Sequence, residues 1–329
     1  MVVAESETMK PHVAVLPSPG LGHVIPLFEL AKVLVVHHGV RVSFLNITTE
    51  ASVAQNQLLH PPTLPPGLRV IDLPPADIST LVSEQTLVLT RLCINVEESL
   101  KPLKSVLMEL GKLQALVIDL FCTQAFQICN ELSIPAYTFF TPSTSFLAFS
   151  LHLPTLDRDV DCEFVDLPEP VQVPGCTPVR TDDLLDQVRN RKIDDYKWAL
   201  FHFNRLPMAA GIFLNSWEDL EPVSFKAIRE HPFYQKIPTP PRALRGLLSI
   251  SLLRITMPGT LYLSIGTPNF VADHVAMFSM SSLSGTLSSD VTMALRQSSS
   301  NPAPSDSWLS FQAKVWLSFC LVLIICGIA

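Results

Sequence analysis

The sequence predicts an α/β protein, a Rossmann-like doubly wound parallel sheet with helices on both faces. Three observations carry that expectation. Short apolar runs alternate with helical stretches from residue 12 to residue 231. The runs are apolar almost throughout instead of alternating with polar residues, as strands buried on both faces are. A glycine-containing turn, Pro17-Ser18-Pro19-Gly20-Leu21-Gly22-His23, follows the first run directly, where open α/β sheets build their ligand sites.

Taken in order, residues 12–16 make the first strand, and Leu27 to His37 has apolar residues at helical spacing. Gly39 ends that helix, and Val40 to Leu45 is a second strand. Leu68 to Leu73 is the third. Thr86 to Leu110 carries one or two amphipathic helices broken at Pro102. Leu113 to Asp119 is a fourth strand that ends on an acid, followed by a helix over Phe121–Leu132 and a fifth strand over Ala136–Phe140. Residues 151–182 are rich in proline and acids and read as a long surface excursion. Lys192 to Leu206 returns to helix, Gly211 to Ser216 is a sixth strand, and Trp217 to His231 is a closing helix. The expected division is therefore one α/β domain over residues 1–241, an irregular stretch over 242–307, and an apolar segment over 308–329.

Composition narrows the function classes. A formal net charge of −7, with no Lys/Arg cluster, disfavours a nucleic-acid surface. The seven cysteines form no C-x-x-C pair and no histidine stands at zinc-finger spacing, so they read as reduced, mostly buried thiols, with no metal expected. Met1 to Pro11 has charged residues and no apolar stretch, unlike a signal peptide, and a cytoplasmic location follows as the expectation. Residues 315–329 are apolar but fall short of the ~20 residues that a spanning helix needs. A tail-anchored membrane protein, with membrane contact through 315–329, is kept as an alternative reading.

The chemistry points to two residues. His23 and Asp119 both fall at carboxyl ends of expected parallel strands, so the fold should bring them to one edge of the sheet. A neutral imidazole can take a proton from a hydroxyl, and a carboxylate on its other nitrogen sets the tautomer and stabilises the imidazolium. The residues alone leave open a helix-end histidine and a strand-end aspartate with separate solvent roles. The turn is neither G-x-G-x-x-G nor a P-loop, and the second strand ends Phe44-Leu45-Asn46 without a ribose-binding acid, which disfavours a nicotinamide-dependent enzyme. Phe121, Phe126, Phe139, Phe140 and Phe146 can wall a pocket or simply fill the core. The Asp182-Asp183 and Asp194-Asp195 pairs read as solvated faces, and no G-x-S-x-G elbow is present.

Several separate stretches, in order, carry a family resemblance: His12 to Leu27 with its Ser18-Pro19-Gly20-Leu21-Gly22-His23 core, Ala115 to Phe121, Leu151 to Pro154, Pro174 to Cys176, Asp194 to Trp198, and Gly211 to Pro222. Residues 11–241 resemble the N-terminal half of plant UDP-dependent glycosyltransferases, nearest the branch that glucosylates hydroquinone and monolignol-type phenols. The resemblance implies the N-terminal domain of a GT-B fold and inverting transfer of glucose from UDP-glucose to a phenolic hydroxyl, with the UDP-sugar as co-substrate and neither cofactor nor metal. It makes His23 the general base and Asp119 the acid that orients and charges it. Ser18, Gly22 and Thr141 fall where the donor's phosphates or sugar approach, and Leu120 and Phe121 fall on the acceptor wall.

After Pro241 the resemblance stops. The family's second domain carries a Trp-x-Pro-Gln start, a His-Cys-Gly-Trp-Asn-Ser run and a closing Asp/Glu-Gln pair, and none of these occurs here. The expectation is a chain whose donor-binding domain is missing or degenerate through an out-of-frame reading, a retained intron or a truncated gene copy, with impaired turnover and doubtful UDP-sugar binding. A non-catalytic remnant that binds a phenol or a protein partner is the other alternative.

Overall fold

A computed structural model describes residues 10–216 and 218–237. The apolar runs are strands: β1 (His12–Leu16), β2 (Arg41–Ile47), β3 (Leu68–Leu73), β4 (Ala115–Asp119), β5 (Ala136–Phe140) and β6 (Gly211–Leu214). Between and after them lie α1 (Leu21–His38), α2 (Val53–Leu59), α3 (Val88–Ser99), α4 (Leu103–Glu109), α5 (Ala125–Glu131), α6 (Thr144–Asp159), α7 (Asp186–Arg189), α8 (Asp194–Arg205), α9 (Pro222–Glu230) and α10 (Pro232–Gln235). The pairings among these six strands are all parallel, and the order is β3-β2-β1-β4-β5-β6. The chain winds outward from β1 to β3, crosses back, and winds outward again from β4 to β6. Its topological switch point lies between β1 and β4, where such sheets open a crevice at their carboxyl ends.

The sheet forms because its central strands are buried on both faces. Val15, Val42, Phe44, Val117 and Phe139 join Val24, Leu27, Phe28 and Ala31 of α1 in one core, with Phe28 edge-on to Phe44 at 5.1 Å. The helix α1 is long and apolar enough to cross a membrane, but it commits these residues to the sheet. It ends where Gly39 takes the left-handed conformation (φ 61°) and returns its N–H to Leu34 O.

Several boundaries differ from the sequence expectation. The first helix begins at Leu21 and runs through Pro26, instead of starting at Leu27. The helix expected from Phe121 starts at Ala125, and the one expected from Trp217 starts at Pro222. Helix α6 occupies the first third of what reads as an irregular excursion, and passes through Pro154. An interior proline costs an isolated helix about 3 kcal/mol. Burial of Leu147, Phe149, Leu151 and Leu153, at roughly 1.5–3 kcal/mol each, outweighs it. The remainder of the excursion is anchored: Val171 and Val179 form an antiparallel bridge, and Phe164, Val171, Val173 and Val179 are buried. The Arg191 guanidinium further binds Asp157 and the carbonyls of Val160 and Cys162.

Two other expectations shift. Asp195 is buried (5 % exposed) instead of solvated, and accepts from the Thr90 N–H at 2.7 Å and hydroxyl at 2.6 Å in the first turn of α3. Among the described cysteines, Cys93, Cys122 and Cys129 are buried free thiols, whereas Cys176 is half-buried and Cys162 exposed. The irregular stretch 242–307 and the apolar segment 308–329, including 315–329, lie outside the described residues.

Glu221 holds the start of α6, just beyond β5. It is buried (4 % exposed), and its carboxylate accepts from the N–H groups of Thr144 at 2.8 Å and Ser145 at 3.2 Å. Those amides have no partner within the helix, and a negative charge there is favoured. Glu221→Ala strands both donors and is expected to cost about 2 kcal/mol, read as a lower urea midpoint of the full chain with an unchanged m-value.

Candidate functional site

Three strand ends converge at the switch point. After β1, Gly20 adopts φ 106°, a torsion L side chains rarely take, although a Cβ there would meet no atom within 4 Å. The backbone turn, not space, requires the glycine. It turns the chain straight into α1, whose first turn carries His23, and Gly20 O accepts from the N–H groups of His23 and Val24. Strand β4 ends on Asp119 beside β1, where Leu16 pairs with Ile118. Thr141 follows β5 directly.

The structure brings His23, Asp119, Ser18 and Thr141 into one hydrogen-bonded group. His23 Nδ1 lies 2.8 Å from Asp119 Oδ2. A carboxylate only accepts, so Nδ1 carries the proton and the neutral ring keeps its lone pair on Nε2. The side chain of His23 is 16 % exposed and that of Asp119 is fully buried. The imidazole therefore meets solvent while its partner does not. Asp119 Oδ1 accepts from the Ser18 hydroxyl at 2.8 Å and the Phe121 N–H at 3.0 Å. The Thr141 hydroxyl donates to Oδ2 at 3.5 Å and stands 3.2 Å from His23 Nδ1. Burial works against the charged form of Asp119. The charge that His23 carries when protonated, together with the hydrogen bonds from His23, Phe121 and Ser18, outweighs burial and holds the carboxyl below its ordinary range.

The remaining sequence candidates are placed as follows. Ser18 is buried with its hydroxyl on Asp119, and Gly22 lies in the first turn of α1 beside His23. Leu120 is buried (1 % exposed), whereas Phe121 is part-exposed with its ring tilted over His23 at 5.4 Å between centroids. Phe126, Phe139 and Phe140 belong to the core. Among the described residues no group of three or more His, Cys, Asp or Glu stands together as a metal site. An open groove of about 490 Å³ runs past the ends of β2 and β3, lined by Thr48, Thr49, Asp77, Val82 and Arg91 among others, and it includes neither His23 nor Asp119.

Two contributors escape the sequence reading. Gln55 of α2 bonds Asn46 Oδ1 and Ile47 O through its amide N–H groups, and its Oε1 faces the Gly20 N–H at 3.4 Å, tying the turn to β2. A seven-residue helix with no marked apolar period announces neither itself nor that role. His202 of α8 is buried beneath Phe121, and a lone histidine on an amphipathic helix carries no signal of such a place.

The chain is similar to several known proteins. The chain is 42 % identical over 239 residues to UDP-glycosyltransferase 72B1 of Arabidopsis thaliana, a match covering 71 % of this chain and 49 % of that protein. It is 40 % identical over 223 residues to hydroquinone glucosyltransferase of Rauvolfia serpentina, covering 67 % and 47 %. Among solved structures, Phytolacca americana UGT2 complexed with UDP-2fluoro-glucose and pterostilbene superposes with a TM-score of 0.65 at 35 % identity, covering 72 % of this chain and 53 % of that one. The chain thus spans about half the length of the relatives it matches. No family model matches it.

The depressed Asp119 carboxyl makes stability depend on pH with a definite sign. Its ordinary value is 3.8 and the folded value is lower, so the folded state binds this proton more weakly than the unfolded chain does. The stabilisation is fully present above the ordinary value and is lost as pH falls through the folded one. Urea midpoints measured from about pH 6 down to about pH 3 should fall for the wild type, with a shallower acid limb for Asp119→Asn.

Proposed function

Because this chain is related to the N-terminal half of plant UDP-glycosyltransferases, the Rossmann-like domain of a GT-B fold, we propose that it performs the acceptor side of glucosyl transfer to a phenol. The single observation that carries the reading is the hydrogen bond from His23 Nδ1 to the buried Asp119, which leaves Nε2 as the proton acceptor at the mouth of the switch point. A phenolic hydroxyl placed on Nε2 gives up its proton as its oxygen attacks the anomeric carbon of UDP-glucose. The new C–O bond forms as the bond to the β-phosphate oxygen breaks, UDP leaves with that electron pair, and the anomeric centre inverts. Asp119 stabilises the imidazolium formed in this step. Phe121, tilted against His23 and part-exposed, offers an aromatic face to the acceptor ring. The acceptor class is taken from the relatives, one named for hydroquinone and one solved with pterostilbene.

The UDP-glucose side belongs to the same proposal, as does impaired turnover by this chain, since its residues after Pro241 lack the donor-side motifs that the family carries. No metal or organic cofactor enters the step.

The test is made on the full chain. Hydroquinone binding, followed by calorimetry, should be the same with and without UDP-glucose. Glucoside formation, followed by chromatography, should be slow, and His23→Ala should lower it by about 10²-fold or more. A folded chain that binds no phenol would overturn the proposal, as would glucoside formation that survives His23→Ala.

A further inference from the structure

Phe121 stands between two imidazoles. Its ring centroid lies 5.4 Å from that of His23 and 5.6 Å from that of His202, the latter edge-on at 79°. His202 is fully buried and takes no part in the chemistry above. Its Nδ1 lies 2.8 Å from Thr123 Oγ1, and its Nε2 3.3 Å from Cys93 Sγ. Thr123 belongs to the loop that leaves β4 after Asp119, and Cys93 to α3. One buried ring therefore ties α3 and α8 to the loop that carries Asp119 and Phe121.

The ring is suited to a fixed role. Burial, with Arg205 nearby, pushes its pKa down to about 3 despite the opposing charge of Asp119. At neutral pH it is uncharged, so it neither draws on Asp119 in competition with His23 nor repels a protonated His23. A neutral imidazole has one N–H and one lone pair, and the Thr123 hydroxyl and Cys93 thiol can each act as donor or acceptor. Both nitrogens are thereby satisfied without water.

We propose that His202 is a positioning residue for the His23–Asp119 pair: it fixes the 119–123 loop through Thr123 and backs the Phe121 ring that lies against His23. The inference rests on the reading of His23 as the base and adds what holds that base in place. A histidine that merely filled the core would, on removal, cost stability and leave the His23 ring as it is.

Nuclear magnetic resonance of the full chain, labelled at histidine and phenylalanine, separates the two. The signatures are the low-field Nδ1–H proton of His23 on Asp119 and the cross-relaxation between the His23 and Phe121 rings. His202→Phe keeps a ring of similar size and loses both hydrogen bonds. Thr123→Val removes only the hydroxyl, and Thr123→Ser keeps it. The expected result is loss of the low-field resonance and weakened cross-relaxation in His202→Phe and Thr123→Val, with both retained in Thr123→Ser. Wild-type signatures in folded Thr123→Val would overturn the proposal, and this comparison decides the matter even where His202→Phe does not fold. Neither readout needs glucosyl transfer, so absence of turnover counts against the proposed function, whereas unmoved signatures count against His202.

Discussion

A carboxylate buried away from water has to be matched by donors, and around Asp119 each neighbouring segment supplies one. Ser18 comes from the turn after β1, His23 from α1, Thr141 from the end of β5, and the Phe121 N–H from the chain just beyond the carboxylate itself. An unpaired charge at that depth would cost several kcal/mol. The group therefore specifies how the ends of three strands sit relative to one another. The orientation of His23 is a consequence of the same requirement, because Asp119 takes the proton-bearing nitrogen and leaves the other with its lone pair.

That arrangement depends in turn on the order of the strands. In a sheet wound β3-β2-β1-β4-β5-β6, β1 and β4 are neighbours although about a hundred residues separate them in the chain. Their connections leave in opposite directions, opening a crevice at their carboxyl ends. His23 and Asp119, 96 positions apart, meet there. The core of Phe28, Phe44, Val117 and Phe139 buries one face of the central strands, and Ala14, Leu16, Leu116 and Ile118 are buried on the other, which together make the pairing worth its entropy.

Legibility in the sequence followed the strength of the local signal. The strands were readable because an apolar run between turn residues has few other interpretations, and the switch from Leu16 to the glycine turn was readable because Gly20 has a torsion that few other residues tolerate. Helix ends were less so. The sequence expectation starts the first helix only after Pro26 and puts Pro154 in an irregular excursion, yet both prolines lie inside helices, because packing against the sheet and its neighbouring helices outweighs one lost backbone bond. Asp195 and Glu221 look like surface acids in a sequence, and only a neighbouring helix end turns each into a buried cap.

The sequence by itself determined the fold class, the presence of the strands and the two residue types able to move a proton, since each rests on local pattern or on side-chain chemistry. The tertiary structure alone decided that Ser18 and Thr141 serve Asp119, that Gln55 braces the Gly20 turn, and that His202 lies behind Phe121. Those relations join residues far apart in the chain and have no period or spacing along it. They exist only once burial forces each polar group to find a partner from another element.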